Sequence, residues 1–131
     1  IDVVNQQGNT ALILATMRGD TAILRTLLES KADMDVKSQY GNTALNVATD
    51  RGNTACLQLL LDAKADIHIS NKFGDTALIK AANKGHIACV QMLIDAKADL
   101  NTINKDGHTS LMIAARRGHT ECVHMLLTAV K

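Results

Sequence analysis

The spacing of apolar residues along the chain predicts short helices. The stretch Cys89–Ala96 reads CVQMLIDA, and its apolar residues fall at positions that share one face of a helix. The preceding stretch, Ala77–Lys84 (ALIKAANK), predicts another short helix, which ends at Gly85. The stretch Lys97–Gly107 is polar, rich in turn-forming residues and too short for a further helix. The pattern therefore predicts a helix, a tight turn, a second helix and a long turn.

This arrangement recurs with a fixed period. Two sets of glycines are each spaced by 33 residues: Gly8, Gly41, Gly74 and Gly107, and Gly19, Gly52, Gly85 and Gly118. Two residues after each glycine of the first set stands a threonine that predicts a helix N-cap: Thr10, Thr43, Thr76 and Thr109. Segments 38–70 and 71–103 are identical at 15 of 33 positions. Helices of roughly 8 to 10 residues are not stable alone in water, so we expect the units to stack.

The recurring motif resembles a known repeat family. The pattern G-x-T-[AS]-L-x-x-A-x-x-x-G, followed by V-x-x-L-L and A-D-x-N, is similar to the ankyrin repeat. The resemblance implies an all-α repeat fold, an ankyrin-type solenoid of helix–turn–helix units joined by long β-turn loops. We expect one domain over residues 1–131, in which residues 1–4 end a preceding unit and four units follow: 5–37, 38–70, 71–103 and 104–131.

The chain departs from the family pattern at two positions of the unit. Where the family usually has proline after the threonine, this chain has Ala11, Ala44, Ala77 and Ser110. Where the family usually has glycine after the second helix, it has Lys31, Lys64 and Lys97. Each lysine is therefore expected either to adopt a strained left-handed conformation or to end its helix in another way.

Length and charge narrow the class of protein. A chain of 131 residues with 47% apolar residues can bury a sizeable core in one domain. The formal net charge of +1 disfavours nucleic acid and membrane surfaces as partners. No apolar stretch is long enough to span a bilayer, and the first residues do not resemble a signal peptide. We expect an intracellular protein, cytoplasmic or nuclear.

The three cysteines recur at the same position of three units. Cys56, Cys89 and Cys122 are spaced by 33 residues, and Ile23 occupies the matching position of the first unit. Packed helices lie about 8–10 Å apart, whereas a disulfide requires Cα atoms within about 7 Å. The cysteines are therefore predicted to be buried, reduced core residues rather than disulfide partners or metal ligands.

The histidines do not predict a metal site. His86 and His119 share a position with Asp20 and Asn53, which indicates a role at the start of the second helix. His119 and Cys122 stand at one-turn spacing, but no second pair of ligands accompanies them. No phosphate-binding or catalytic motif is present in the sequence either. We therefore predict no cofactor, no metal and no catalytic residue.

The tips of the long turns differ between units and are candidates for binding. The tip pairs are Gln6-Gln7, Gln39-Tyr40, Lys72-Phe73 and Lys105-Asp106. Tyr40 and Phe73, the two aromatic residues of the chain, occupy one position in adjacent units. They are expected to lie side by side as exposed anchors, since aromatic residues dominate binding hot spots. The alternative is that the tips pack on each other or shield the turn below.

A basic residue ends the first helix of every unit: Arg18, Arg51, Lys84 and Arg117. Cations near a helix C-terminus gain roughly 0.3–1 kcal/mol from the helix dipole, which alone would explain this column. With Lys72, Lys105 and Arg116, however, the later units present a basic lane beside Phe73. An acidic or phosphorylated peptide would suit this lane.

In ankyrin-like stacks the turn tips and the exposed side of the first helices form an extended concave face. The resemblance therefore implies that partners contact this face. The residues predicted to bind a partner are Gln39, Tyr40, Asn42, Arg51, Lys72, Phe73, Asp75, Lys84, Lys105, Asp106, His108, Arg116 and Arg117.

The long turns carry a second feature of the family. Their A-D-x-[N/H/D] pattern resembles turns that are hydroxylated in some animal ankyrin arrays, at positions matching Asp35, His68 and Asn101. The alternative is that the Asp side chains of these turns hydrogen-bond the turn backbone.

These observations predict a non-catalytic protein–protein interaction module that binds a protein or peptide, with further repeats flanking it in a longer chain. Two alternatives stay open at this point. In the first alternative, the chain is a regulatory or targeting segment of a larger enzyme or channel. In the second, it is a structural or designed array with no natural ligand. The sequence does not name the partner.

Overall fold

The computed structural model describes residues 3–6 and 8–129. Across these residues the regular structure is entirely helical, with no strand, as the all-α prediction requires. Four helix pairs follow one another along the chain, each forming one unit. Their bounds are α1 (Ala11–Arg18) and α2 (Thr21–Glu29), α3 (Ala44–Arg51) and α4 (Thr54–Asp62), α5 (Ala77–Lys84) and α6 (Ile87–Asp95), and α7 (Ser110–Arg117) and α8 (Thr120–Ala129).

The first helix of every unit begins and ends in the same way. Its threonine N-cap accepts a hydrogen bond from the backbone N–H three residues on, as Thr76 does from Ile79 at 3.4 Å. A glycine in the left-handed conformation ends it, for example Gly85 with φ 72°. The predicted caps and the bounds of α5 are thereby confirmed.

The second helices begin earlier than the apolar pattern indicates. The prediction for the third unit was Cys89–Ala96, whereas α6 spans Ile87–Asp95. Ile87 and Ala88 are exposed, so they lie outside the apolar face from which the start was predicted. The helix nevertheless includes them because the turn is short: His86, which follows Gly85, holds the N-cap position, and helical geometry resumes at Ile87.

Each lysine after a second helix adopts the left-handed conformation. The φ angles are 67°, 70° and 71° at Lys31, Lys64 and Lys97. The N–H of Lys64 donates to the Leu61 carbonyl and that of Ala65 donates to Leu60, both at 3.0 Å. This pair of bonds defines a Schellman helix end. Of the two predicted alternatives, the left-handed conformation is therefore correct, and a different kind of helix end is not.

The units stack so that helices of one kind pack on their equivalents. Helices α1, α3, α5 and α7 form one layer, and α2, α4, α6 and α8 form the other. A continuous core of mainly leucine and alanine runs between the layers, with Cys56, Cys89 and Cys122 buried in it. All three cysteines are buried, which confirms their predicted burial, and none of them is joined in a disulfide.

Candidate partner-binding face

We call the surface formed by the long-turn tips and the exposed side of α1, α3, α5 and α7 the front face. The predicted contact residues belong to these turns and helices. Gln39 and Lys105 are exposed on the tips, and Arg51 is exposed at the end of α3. Whether these residues bind a partner stays a prediction.

The two aromatic side chains project from neighbouring tips. Tyr40 is 55% exposed and Phe73 is 63% exposed. The tips bond to each other through their backbones, since Lys72 N–H donates to the Tyr40 carbonyl at 3.1 Å and Lys105 N–H donates to Phe73 at 3.0 Å. The ammonium nitrogen of Lys72 lies 6.0 Å from the centre of the Tyr40 ring. Backbone pairing thus fixes the tips, and large parts of both rings remain accessible.

An asparagine side chain shapes each of the last two tips. The Asn71 Oδ1 atom accepts from the backbone N–H groups of Phe73 and Asp75, at 2.9 and 3.0 Å. Asn104 Oδ1 accepts from those of Asp106 and His108, both at 3.0 Å. Sequence analysis did not identify these residues as part of the face. A detectable signal existed, because small polar residues recur three positions before the first glycine of each unit: Asn5, Ser38, Asn71 and Asn104.

Five of the predicted contact residues surround one cavity of about 150 Å³ between the third and fourth units. Ile79 and Ile113, from α5 and α7, contribute apolar walls. Asn83 and Asn104 complete the lining around the five predicted residues, which are Asp75, Asp106, His108, Arg116 and Arg117. Part of the hydrogen-bonding capacity of the Asp75 carboxylate is already used, since its Oδ1 accepts from Asn104 Nδ2 at 3.0 Å.

The cationic side chains of this cavity differ in their ion pairing from those of the preceding unit. Lys80 and Lys84 both place their ammonium groups 3.6 Å from Asp50 Oδ1, across the junction of the second and third units. Among the described residues, Arg116 and Arg117 make no ion pair. Within the predicted basic lane, Lys84 is therefore paired with Asp50, whereas Arg116 and Arg117 carry positive charge at the end of α7 without an ion pair to any residue that the structure describes.

A second cavity of about 160 Å³ opens on the front face between the first two units. It is lined by the predicted residues Asn42 and Arg51 and by Met17, Asn46, Val47 and Asp50. Asn42 also accepts from the Asn71 side chain at 3.4 Å, so part of its hydrogen-bonding capacity serves the fold.

The two histidines at second-helix starts have a different role from the one predicted. Asp20 and Asn53 cap their helices with side-chain oxygens, but the His86 side chain makes no capping bond. Its Nε2 lies 3.0 Å from the Asp50 carbonyl oxygen of the preceding unit, and His119 Nε2 lies 3.0 Å from that of Asn83. Because a carbonyl only accepts, Nε2 carries the proton in each case. These rings connect units rather than cap helices.

The cysteines sit in surroundings that disfavour the thiolate. Burial raises the pKa of the Cys56 thiol, and the nearby charge of Asp20 raises it further. Burial also raises the pKa of Cys89 and of Cys122, with a smaller contribution from Glu121 at Cys122. Within residues 3–6 and 8–129, no three His, Cys, Asp or Glu side chains gather as a metal site.

The Asp side chains of the long turns bond to the turn backbone. Asp66 Oδ1 accepts from His68 N–H at 2.9 Å, and Asp99 accepts from Asn101 at the same distance. Asp33 accepts from Asp35 in the same way, at 2.9 Å. These bonds confirm the alternative in which the Asp side chains of the long turns hydrogen-bond the turn backbone. The sequence leaves hydroxylation of the exposed residues Asp35, His68 and Asn101 open, and these hydrogen bonds do not test it.

A family model described as ankyrin repeats (3 copies) matches residues 1–71 and 63–131. Together the two matches cover the whole chain. The chain belongs to the ankyrin repeat family. None of the curated proteins compared with it gives a match. Ankyrin repeats are generally protein–protein interaction modules and typically have no catalytic activity.

Several expectations about this ankyrin chain stay predictions. They are the intracellular location, the flanking repeats in a longer chain, and the division of a single domain at the stated unit bounds. As to membranes, none of the helices in the described part of the chain has the length and apolar character needed to cross one.

Proposed function

We propose that this ankyrin repeat chain binds an acidic segment of a partner protein on its front face, without catalysis. The observation that carries the proposal is the pair of unpaired guanidinium groups, Arg116 and Arg117, at the cavity between the third and fourth units. Both arginines are exposed and can reach a partner.

The chemistry of the cavity favours a carboxylate ligand. A guanidinium group can offer two parallel N–H donors, which match the two oxygens of a carboxylate. Asp75 and Asp106, on the long turns of the third and fourth units, also line the cavity and supply acceptors for the backbone N–H groups of a bound segment. The same carboxylates repel an anion that enters too deeply, so the ligand charge is expected to stay beside the arginines.

The aromatic tips extend the proposed surface by an apolar contact. Tyr40 and Phe73 offer large exposed rings on the tips of the second and third units, and Asp106, at the same tip position of the fourth unit, lines the cavity. Amphipathic rings with few rotatable bonds bind at a low cost in conformational entropy. The segment that fits best therefore combines acidic residues with an aliphatic or aromatic residue.

The test uses a display library of random linear peptides selected against the purified chain. We expect the selected peptides to be rich in Asp or Glu next to an apolar residue, with binding that weakens as salt rises. Arg117→Ala should weaken binding about tenfold, as expected for the loss of a charge-assisted hydrogen bond. Lys84→Ala is the matched control, since Lys84 holds the same position one unit earlier but is paired with Asp50.

Two further variants separate the aromatic contact from a general loss of apolar surface. Tyr40→Ala with Phe73→Ala should weaken peptide binding and leave the thermal midpoint nearly unchanged. Ile87→Ala removes an exposed apolar side chain from a second helix, away from the front face, and should not affect binding. Selection of no peptide, or binding that survives both the arginine and the aromatic variants, would favour a structural array without a ligand on this face.

A further inference from the structure

Three positions of the repeat meet on the front face at each junction between units. One residue comes from the end of the first helix of the preceding unit, and two residues, one turn apart, come from the first helix of the following unit. At the first and third junctions they line the two front-face cavities. The residues are Met17, Val47 and Arg51 at the first junction, Asp50, Lys80 and Lys84 at the second, and Asn83, Ile113 and Arg117 at the third.

The second junction is the one at which all three of these residues are charged. The ammonium nitrogens of Lys80 and Lys84 both lie 3.6 Å from the same oxygen, Asp50 Oδ1. Without Asp50 the two lysines would repel each other, because they are neighbours on one face of α5. Two ammonium groups that converge on one point form a site for an anion, and the Asp50 carboxylate occupies this site.

The Asp50 carboxylate is held in the site by the packing of the second and third units. Helix α3 packs against α5. The Asp50 backbone carbonyl oxygen also lies 3.0 Å from His86 Nε2, which ties the end of α3 to the third unit. The position of residue 50 therefore depends on backbone contacts that a change of its side chain leaves in place.

We propose that Asp50 fixes the register of an acidic partner segment on the front face, by filling the anion site that Lys80 and Lys84 would otherwise offer. The inference deepens the proposed function and rests on it. Acidic residues of the segment are directed to the end of α7, and the residues that cross the second junction are uncharged.

The second and third junctions differ in what a ligand carboxylate would meet. At the second junction it meets the like charge of Asp50, which already neutralises part of the charge of the two lysines. At the third junction the equivalent of Asp50 is the neutral amide of Asn83, which lines the cavity together with Arg117. Specificity is a difference between affinities, and a repulsive group at one of two sites is sufficient to create it.

The ion pairs of Asp50 are accessible enough for a test by substitution. The side chains of Asp50, Lys80 and Lys84 are 35%, 20% and 48% exposed, and ion pairs that reach solvent contribute little to stability. Asp50→Asn should therefore leave the thermal midpoint nearly unchanged. Asparagine keeps the shape of the side chain, and it is the residue that the third junction has at this position.

The test is a titration of the wild-type chain and of Asp50→Asn with an acetylated pentaglutamate peptide, followed by amide NMR. The variant should show new shift changes at the end of α5, around Lys84, and about tenfold tighter binding there than the wild-type chain. Added salt should reduce this gain. Circular dichroism checks the fold, and Asp50→Ser is a second neutral variant that should give the same result.

Three controls separate unmasking of the lysines from a change in net charge. Asp50→Glu keeps the carboxylate and should behave as the wild-type chain does. Asp62→Asn changes the net charge equally, but Asp62 lies on α4 in the other layer, where it accepts from Gln58 Nε2 at 2.7 Å. It should create no binding at the end of α5. Adding Lys84→Ala to Asp50→Asn should remove the new shift changes.

The outcomes for Asp50 and for the arginine site are read at different helices. Asp50→Asn without new shift changes at the end of α5 overturns the inference, and so does an equal gain in Asp62→Asn. Wild-type binding at the end of α5 that is as tight as that of Asp50→Asn also overturns it. A wild-type chain without changes at the end of α7 contradicts the proposed acidic site at Arg116 and Arg117, whatever Asp50→Asn shows at α5.

Discussion

Replacing Lys64 by glycine should stabilise the protein. Lys64 has φ 70°, in the left-handed region where a Cβ atom crowds the following carbonyl. Its side chain is exposed and makes no ion pair among the described residues, so glycine removes no packing or charge partner. The Schellman bonds of Lys64 and Ala65 use backbone groups that glycine retains. The conformation of the backbone therefore decides the effect.

Three contributions set the expected size of the change. Removing the Cβ atom relieves roughly 1 to 2 kcal/mol of left-handed strain. Glycine also enlarges the unfolded ensemble, which costs about 0.4 to 1 kcal/mol. The lost positive charge at the C-terminus of α4 removes about 0.3 kcal/mol of interaction with the helix dipole. Relief of strain prevails narrowly, and we expect a gain of about 0.5 kcal/mol in the free energy of unfolding.

Urea unfolding at low and high salt measures this gain. Lys64→Ala is the control, because alanine keeps the Cβ atom and removes only the charge. It should lower the free energy of unfolding slightly at low salt and leave it unchanged at high salt. The equivalent changes at Lys31 and Lys97 should add to that at Lys64, because the three sites lie in different units. If Lys64→Gly destabilises, or if it behaves as Lys64→Ala does, the strain argument is wrong.

Other predictions concern buried groups. The Ser110 hydroxyl is buried without a hydrogen-bond partner, so Ser110→Ala should stabilise by about 1 kcal/mol in urea unfolding. Ala77→Ser, the reverse change at the equivalent position, should destabilise by a similar amount. The three thiols should react slowly with Ellman's reagent in the native protein and rapidly in guanidinium. Burial raises the pKa of each thiol above its ordinary value, so the stability linked to the protonated thiols is fully present at neutral pH. It should be lost as pH rises through the folded-state pKa, which alkaline thermal melts would detect. His86→Ala should lower the free energy of unfolding by about 1 kcal/mol, since it removes the bond to the Asp50 carbonyl.

The regular parts of the fold follow from local chemistry and were predictable. A threonine two residues after a glycine marks a helix start, and the next glycine marks its end, because caps depend on a few neighbouring residues. Burial of the cysteines also followed, since Ile23 shows that the position tolerates a purely apolar side chain. The start of α6 was mispredicted because Ile87 and Ala88 face solvent and add nothing to the apolar periodicity.

Contacts between units were harder to predict, because they depend on geometry across the stack. The sequence places His86 and His119 where Asp20 and Asn53 cap helices, but an imidazole is long enough to reach the preceding unit instead. Lys84 belongs to a column of cations, yet Asp50 pairs with it from the neighbouring unit. The position of the front-face cavity likewise depends on how the fourth unit packs on the third.

Partner binding on the front face is tested most directly by NMR. Amide chemical shifts of the labelled chain would be followed during titration with the tightest peptide from the selection. We predict that the largest changes occur at Phe73, His108, Arg116 and Arg117, with little change along the exposed sides of α4 and α6. Changes concentrated on those second helices, with the front face unaffected, would contradict the proposed binding site.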